Sequence, residues 1–229
     1  AVSESPGAGD DGGEVTVTAS NTIHTTGTAS PGIVAQSVGG SGGIAAVKSN
    51  ATTTIYAGSG NAPGNGGNVT VNANAAILVE GQGSVGIVAL SAGGSASDDV
   101  SGTVTVNVSG AIEATGQDGR GILASSDAQI GQSSGNVLIN VNEGASVLTG
   151  ASGGEAIYVL DGGGSSVITN SGTIGTQNAA SYALRVAASN PFLIDNYGTA
   201  TGSVLTEAKT DGGAVGSFTF NNYGLMNSG

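Results

Sequence analysis

Aliphatic residues recur in this chain in pairs ten positions apart: Ile23 and Ile33, Ile77 and Ile87, Ile112 and Ile122, Val147 and Ile157, Ile174 and Leu184. Five pairs with one spacing mark a repeated unit. Eight residues before the first member of the three earliest pairs begins a Val-x-Val: Val15-Thr16-Val17, Val69-Thr70-Val71 and Val104-Thr105-Val106. Gly135-Asn136-Val137-Leu138-Ile139 is a close variant. The second members share a setting too. Gly32-Ile33-Val34-Ala35 is followed by Gly86-Ile87-Val88-Ala89, Gly121-Ile122-Leu123-Ala124, Ala156-Ile157-Tyr158-Val159 and Ala183-Leu184-Arg185-Val186. Repeats of this length cannot bury an apolar side alone, so neighbouring copies must stack.

The period drifts. It is 35 residues from Ile87 to Ile122 and again from Ile122 to Ile157, 27 from Ile157 to Leu184, and 54 from Ile33 to Ile87. The long step places a looped-out insertion of 19 residues near positions 48–66. Towards the C-terminal end Asn170-Ser171-Gly172, Asn196-Tyr197-Gly198 and Asn222-Tyr223-Gly224 repeat every 26 residues. Asn-x-Gly suits a tight corner because both residues tolerate φ > 0. One such corner per interval means one corner per turn of a coil.

These spacings predict an all-β chain, a single parallel β-solenoid over 1–229. Coils of 26–35 residues each supply about three short strands, and each strand pairs with its equivalent in the next coil ~4.8 Å away. Inward positions then form three aliphatic ladders: Val15, Val69 and Val104; Ile23, Ile77, Ile112, Val147 and Ile174; Ile33, Ile87, Ile122, Ile157 and Leu184. Loops such as Gly39-Gly40-Ser41-Gly42-Gly43 fall between the third strand and the next Val-x-Val. Composition excludes the alternatives. With 43 Gly but no Gly-x-y period and only 4 Pro, collagen is ruled out. Gly at this density destabilises helices by about 1 kcal/mol per position. Aromatics make up 3% of residues, so the core is thin, and with 0 Cys there is neither a disulfide framework nor a thiolate metal site.

The formal charge is -12. Nucleic acid binding needs clustered cations, and Lys48, Arg120, Arg185 and Lys209 are few and scattered along the chain. Anionic membrane surfaces repel such a chain, and no apolar run approaches the ~20 residues of a membrane-inserting helix. The sequence opens on Ala1 rather than Met, which leads us to expect a processed form or a piece of a longer chain.

The stretch Gly32-Ile33-Val34-Ala35-Gln36-Ser37-Val38-Gly39-Gly40-Ser41-Gly42-Gly43 resembles a repeat of bacterial autotransporter (type V secretion) passenger domains. Ile168-Thr169-Asn170-Ser171-Gly172-Thr173-Ile174 resembles another element of those passengers. The resemblance runs from about Val15 to Gly229. It implies a right-handed β-helix on the outer face of the outer membrane, exported through a C-terminal barrel that this sequence does not contain.

The candidate chemistry is sparse. His24 is the one His. A triad with Ser20 or Ser37 and Asp10 lacks a strained nucleophile elbow, and alternation after Ile23 turns His24 outward. The pairs Asp10-Asp11 and Asp98-Asp99 precede equivalent strands, and Gly93-Gly94-Ser95-Ala96-Ser97-Asp98 partly resembles the Ca²⁺-binding nonapeptide of repeat toxins. Asp98 and Asp99 are therefore the candidate Ca²⁺ ligands, although the motif does not recur every nine residues. Polysaccharide-cleaving β-helices need converging carboxylates and cations. Glu113, Glu143, Asp118 and Arg120 are the nearest set, and the low cation count argues against them. A Thr-x-Thr ice-binding face is disfavoured by the drifting period.

The expected function is thus a non-enzymatic extracellular β-helix, a stalk or adhesin-like passenger at a bacterial outer-membrane surface, with neither cofactor nor catalytic site. Its expected partners are molecules of host or neighbouring-cell surfaces, or itself. The alternatives are a subunit that stacks end to end into an extracellular filament, and a polysaccharide-active β-helix enzyme.

Overall fold

The computed structural model describes residues 11–40, 62–94, 98–127, 134–150, 153–160, 163, 165–178, 181–207 and 216–227. The first coil holds β1 (Val15–Ala19), β2 (Ile23–Thr25) and β3 (Ile33–Val38). The second holds β4 (Val69–Ala73), β5 (Ile77–Val79) and β6 (Val85–Ala92). The third has β7 (Val104–Val108), β8 (Ala111–Ala114) and β9 (Arg120–Asp127), and the fourth β10 (Val137–Val141), β11 (Ser146–Thr149) and β12 (Glu155–Leu160). Then come β13 (Ser166–Asn170), β14 (Thr173–Thr176) and β15 (Tyr182–Ala187), followed by β16 (Phe192–Asn196), β17 (Thr199–Thr201) and β18 (Ser203–Glu207). β19 (Phe218–Asn222) and β20 (Leu225–Asn227) close the series. No helix occurs among the described residues.

The first strands of all coils form sheet A, the second strands sheet B and the third strands sheet C, with seven, seven and six strands in parallel order. This is a parallel β-helix. The three expected ladders are in register. Val15 pairs with Val69, Val104 and Val137 in succession. Ile23 leads through Ile77, Ile112 and Val147 to Ile174. Ile33 leads through Ile87, Ile122 and Ile157 to Leu184. Most of these side chains are fully buried in one continuous core, each contributing roughly 1.5–3 kcal/mol. Paired positions on sheet A stand 54, 35, 33, 29, 26 and 26 residues apart, yet sheet A keeps one register throughout. The connections absorb the drift.

The insertion expected near 48–66 lies for its greater part outside the described residues. Its end is pinned: the Gly12 N–H donates to the Asn65 carbonyl at 2.6 Å, and the Gly94 N–H to the Gly64 carbonyl at 2.7 Å.

Two glycine positions carry the packing. In the Gly-Ile repeat, a Cβ on Gly86 would stand 2.6 Å from both the Gly121 carbonyl oxygen and Ile112 Cγ2. The position thus faces inward beside an already inward Ile, and only a residue with little or no side chain fits; Ala156 and Ala183 fill it in later coils, both buried. The Asn-x-Gly corners correct an expectation. Gly172, Gly198 and Gly224 are not among the residues with positive φ, and neither are Asn170, Asn196 and Asn222. A Cβ on Gly198 would overlap the Gly172 carbonyl, and one on Gly224 the Gly198 carbonyl. Close approach between coils requires glycine there. The asparagines form an internal amide ladder: Asn170 Nδ2 donates to Asn196 Oδ1 at 2.7 Å, and Asn196 Nδ2 to Asn222 Oδ1 at 2.6 Å. Asn170 and Asn196 are buried at this position, which Val108 and Val141 occupy in earlier coils.

The sheets differ in their outer faces. The early sheet A strands alternate apolar-in and polar-out, as in Val69-Thr70-Val71-Asn72, whereas Leu138, Val167 and Leu193 stand outward in later ones. Sheet C strands carry longer apolar runs, as in Ile87-Val88-Ala89-Leu90, and β6 is buried at every position. Val85, Val88, Leu90, Leu123, Tyr158 and Ala187 form a second apolar cluster there, with Val34 and Leu160 packed against it. Burial on both faces is what such runs in a parallel sheet require.

Candidate functional site

Sheet C also gathers charge. Arg120 opens β9, Glu155 opens β12, Arg185 sits in β15 and Glu207 ends β18. Glu155 is 2% exposed and Arg120 4%. Arg120 Nε donates to Glu155 Oε2 in a short contact, and Arg185 Nη1 donates to Glu155 Oε1 at 2.9 Å. Arg185 Nε and Nη2 both reach Glu207 Oε1 at 2.8 Å. The ring of Tyr158 lies under both guanidinium groups, 4.7 Å from Arg185 Cζ and 5.6 Å from Arg120 Cζ. These are cation–π distances. Burial opposes the charge of Arg185, but its hydrogen bonds to Glu155 and Glu207 outweigh this and hold its pKa above the ordinary value.

The scattered cations of the sequence thus converge: Arg120 and Arg185 meet two carboxylates across four coils. Lys48 and Lys209 lie outside the described residues. The arrangement is an ion ladder of two cations and two carboxylates, in which Glu155 uses one oxygen on each Arg. The sequence carries a signal for it. Arg120 and Glu155 stand 35 residues apart, the same step as Ile122 and Ile157 in the same two strands, so opposite charges fall on equivalent positions of neighbouring coils.

Burial raises the Tyr158 pKa above its usual 10. Its neutral form is favoured in the folded state, so that contribution is present below about pH 10 and lost as pH rises through the folded pKa. Stability should fall above about pH 10, and Tyr158→Phe should flatten that fall. Urea melts across this pH range check it.

One residue of each acidic pair staples a loop. Asp11 Oδ1 accepts the Asn65 N–H at 2.6 Å, and the buried Asp99 accepts the neighbouring Gly64 N–H at 2.9 Å. Asp98 is exposed, and Asp10 lies outside the described residues. Among the described residues no group of three or more His, Asp or Glu could hold a metal ion. His24 is exposed and meets Glu80 at 2.8 Å. Ser37 is not beside it; its Oγ donates to the Gly13 carbonyl at 2.7 Å and accepts the Gly67 N–H at 2.9 Å, tying one coil to the next. Ser91 repeats this with Gly67 and Gly102. The enzyme-like set does not assemble around Arg120, whose carboxylate partner is Glu155. Glu113 stands on the outward side of β8 in sheet B, Glu143 is exposed in the turn after β10, and Asp118 holds a turn at φ 56°.

Compared with protein-family models, with curated proteins and with solved structures, the chain matches none.

Proposed function

We propose that this chain is a non-enzymatic extracellular β-helix, a stalk or adhesin-like passenger at a bacterial cell surface. The observation that carries this reading is how its polar groups are used. Glu155, Ser37, Ser91, Asp11, Asp99 and the Asn170–Asn196 ladder all hold one strand or coil against another. What they build is a repetitive rod of stacked coils, a form suited to presenting surface at a distance. Antibody or protease access to the chain on intact cells of the source organism tests the placement; a chain reached only after lysis contradicts it. No metal is required in this reading. A chelator should leave the melting temperature within about a degree, whereas a large drop would point back to Asp98 and Asp99.

End-to-end association is a second reading, favoured by the exposed Tyr197, Tyr223, Leu225 and Met226 of the last coils. Tyr197 and Tyr223 stack at 5.0 Å. Against it, Asn222 would face Ala19 of a second copy, which offers no amide to continue the ladder. Sedimentation at rising concentration separates the two readings.

A further inference from the structure

Two tyrosines stand one above the other at the corner between sheets A and B. Tyr197 follows β16, and Tyr223 follows β19. The backbone fixes them there. The Tyr197 N–H donates to the Asn170 carbonyl at 2.7 Å, and the Tyr223 N–H to the Asn196 carbonyl at 2.8 Å. On either side of the pair, Asn196 is in register with Asn222 and Thr199 with Leu225. The rings therefore stack, with centroids 5.0 Å apart and planes 11° from parallel. Both are open to solvent, Tyr197 at 54% and Tyr223 at 66%. In the preceding coil Ser171 holds this position between Asn170 and Gly172, so the stack begins at Tyr197.

Parallel phenols in contact share an oxidative chemistry. A one-electron oxidant takes an electron and a proton from a phenol. The phenoxyl radical left behind has its spin spread onto the two ring carbons beside the oxygen, the Cε atoms. Two such radicals join Cε to Cε. The hydrogen remaining on each joined carbon then moves to the oxygen of its own ring and restores both phenols. Two hydrogen atoms have left the protein, and one hydrogen peroxide has become two waters. The bond forms only when two rings meet, so a pair already held in contact has a large advantage over rings that must find one another. Coupling between chains faces the further repulsion of a net charge of -12 on each.

The other tyrosines are differently placed. Tyr158 is 7% exposed, and its ring lies against Arg120 and Arg185, whose positive charges oppose removal of an electron from it. Tyr182 is half-buried in β15, with Glu155 and Ser203 as its partners in the neighbouring strands. Tyr56 lies outside the described residues.

We propose that Tyr197 and Tyr223 are a site of oxidative cross-linking, at which a peroxidase using hydrogen peroxide joins them as dityrosine. The bond ties together residues 26 apart in the sequence. It makes covalent a junction between coils that otherwise rests on hydrogen bonds and packing. The site goes beyond the reading of the chain as a surface rod and does not depend on it.

Treatment of the purified chain with a peroxidase and hydrogen peroxide tests the site. The expected product runs as a monomer, shows dityrosine fluorescence and has lost the mass of two hydrogen atoms. Trypsin cuts after Lys209, between the two tyrosines, so the peptides 186–209 and 210–229 should stay joined. Tyr197→Phe and Tyr223→Phe should each abolish this product, whereas Tyr182→Phe should leave it. All three substitutions retain the ring, and circular dichroism will verify the fold. No dityrosine, dityrosine only between chains, a link through another tyrosine, or undiminished coupling in Tyr197→Phe or Tyr223→Phe overturns the proposal.

Discussion

Ile122→Asp should abolish cooperative folding of the central coils, with a loss of about 4 kcal/mol or more. Ile122 is fully buried, and its ladder neighbours are Ile87 on one side and Ile157 on the other. A carboxylate there meets only aliphatic groups, so it must either charge in a dry core or stay protonated at a steep penalty. Because each coil templates the next, the damage spreads both ways along the axis. Thr105→Ser on the outer face of sheet A should shift stability by about 0.5 kcal/mol or less. Thermal melts followed by circular dichroism compare the two. Equal melting temperatures would mean that the inward and outward assignments are wrong.

Glu155→Ala should cost about 3–5 kcal/mol, since it leaves two guanidinium groups, one of them buried, without the carboxylate between them. Glu207→Ala removes a far more exposed partner, with 31% of its side chain open to solvent, and should cost about 1 kcal/mol or less. Replacing the buried pair together, Arg120→Met with Glu155→Leu, should recover much of the loss, because no charge is then stranded. Urea denaturation reads all three. If Glu155→Ala and Glu207→Ala were equally mild, the ladder would be a surface network rather than a buried one.

The coil is legible because one physical requirement, stacking of like on like, writes a fixed interval into the chain. Ile23 and Ile33 are ten apart, as are their equivalents as far as Ile174 and Leu184, because packing fixes strand and corner lengths there; in the next coil the equivalents Ala200 and Val204 are four apart. The ion ladder obeys the same interval, yet charges counted along the chain, and not coil against coil, leave Arg120 and Glu155 looking unrelated. The corners mislead for a different reason. Asn and Gly serve positive φ so often that Asn196 and Gly198 look like turn formers, whereas here one bonds its own kind and the other makes room for a carbonyl. The second apolar cluster is announced by Gly86-Ile87-Val88-Ala89-Leu90, a run without the alternation seen in Val69-Thr70-Val71. For the outer face of sheet A, sequence places Thr and Asn outward but does not show that Asn72, Asn107 and Asn140 hold one another.

The unequal coil lengths have a mechanical consequence. Hydrogen bonds between coils run along the axis of the rod, so a pull on its two ends loads each inter-coil seam in tension and in series. Seams should rupture singly, and each rupture frees the slack of a single coil. With paired residues 26 apart near the C-terminal end and 54 apart at the first seam, the released lengths run from roughly 90 Å to roughly 190 Å at about 3.5 Å per residue. A force–extension trace would therefore be a ruler of the sequence, each step identifying by its length which seam had opened. For a rod of such coils under load, the same feature is a series of yield points that lengthen it before it breaks.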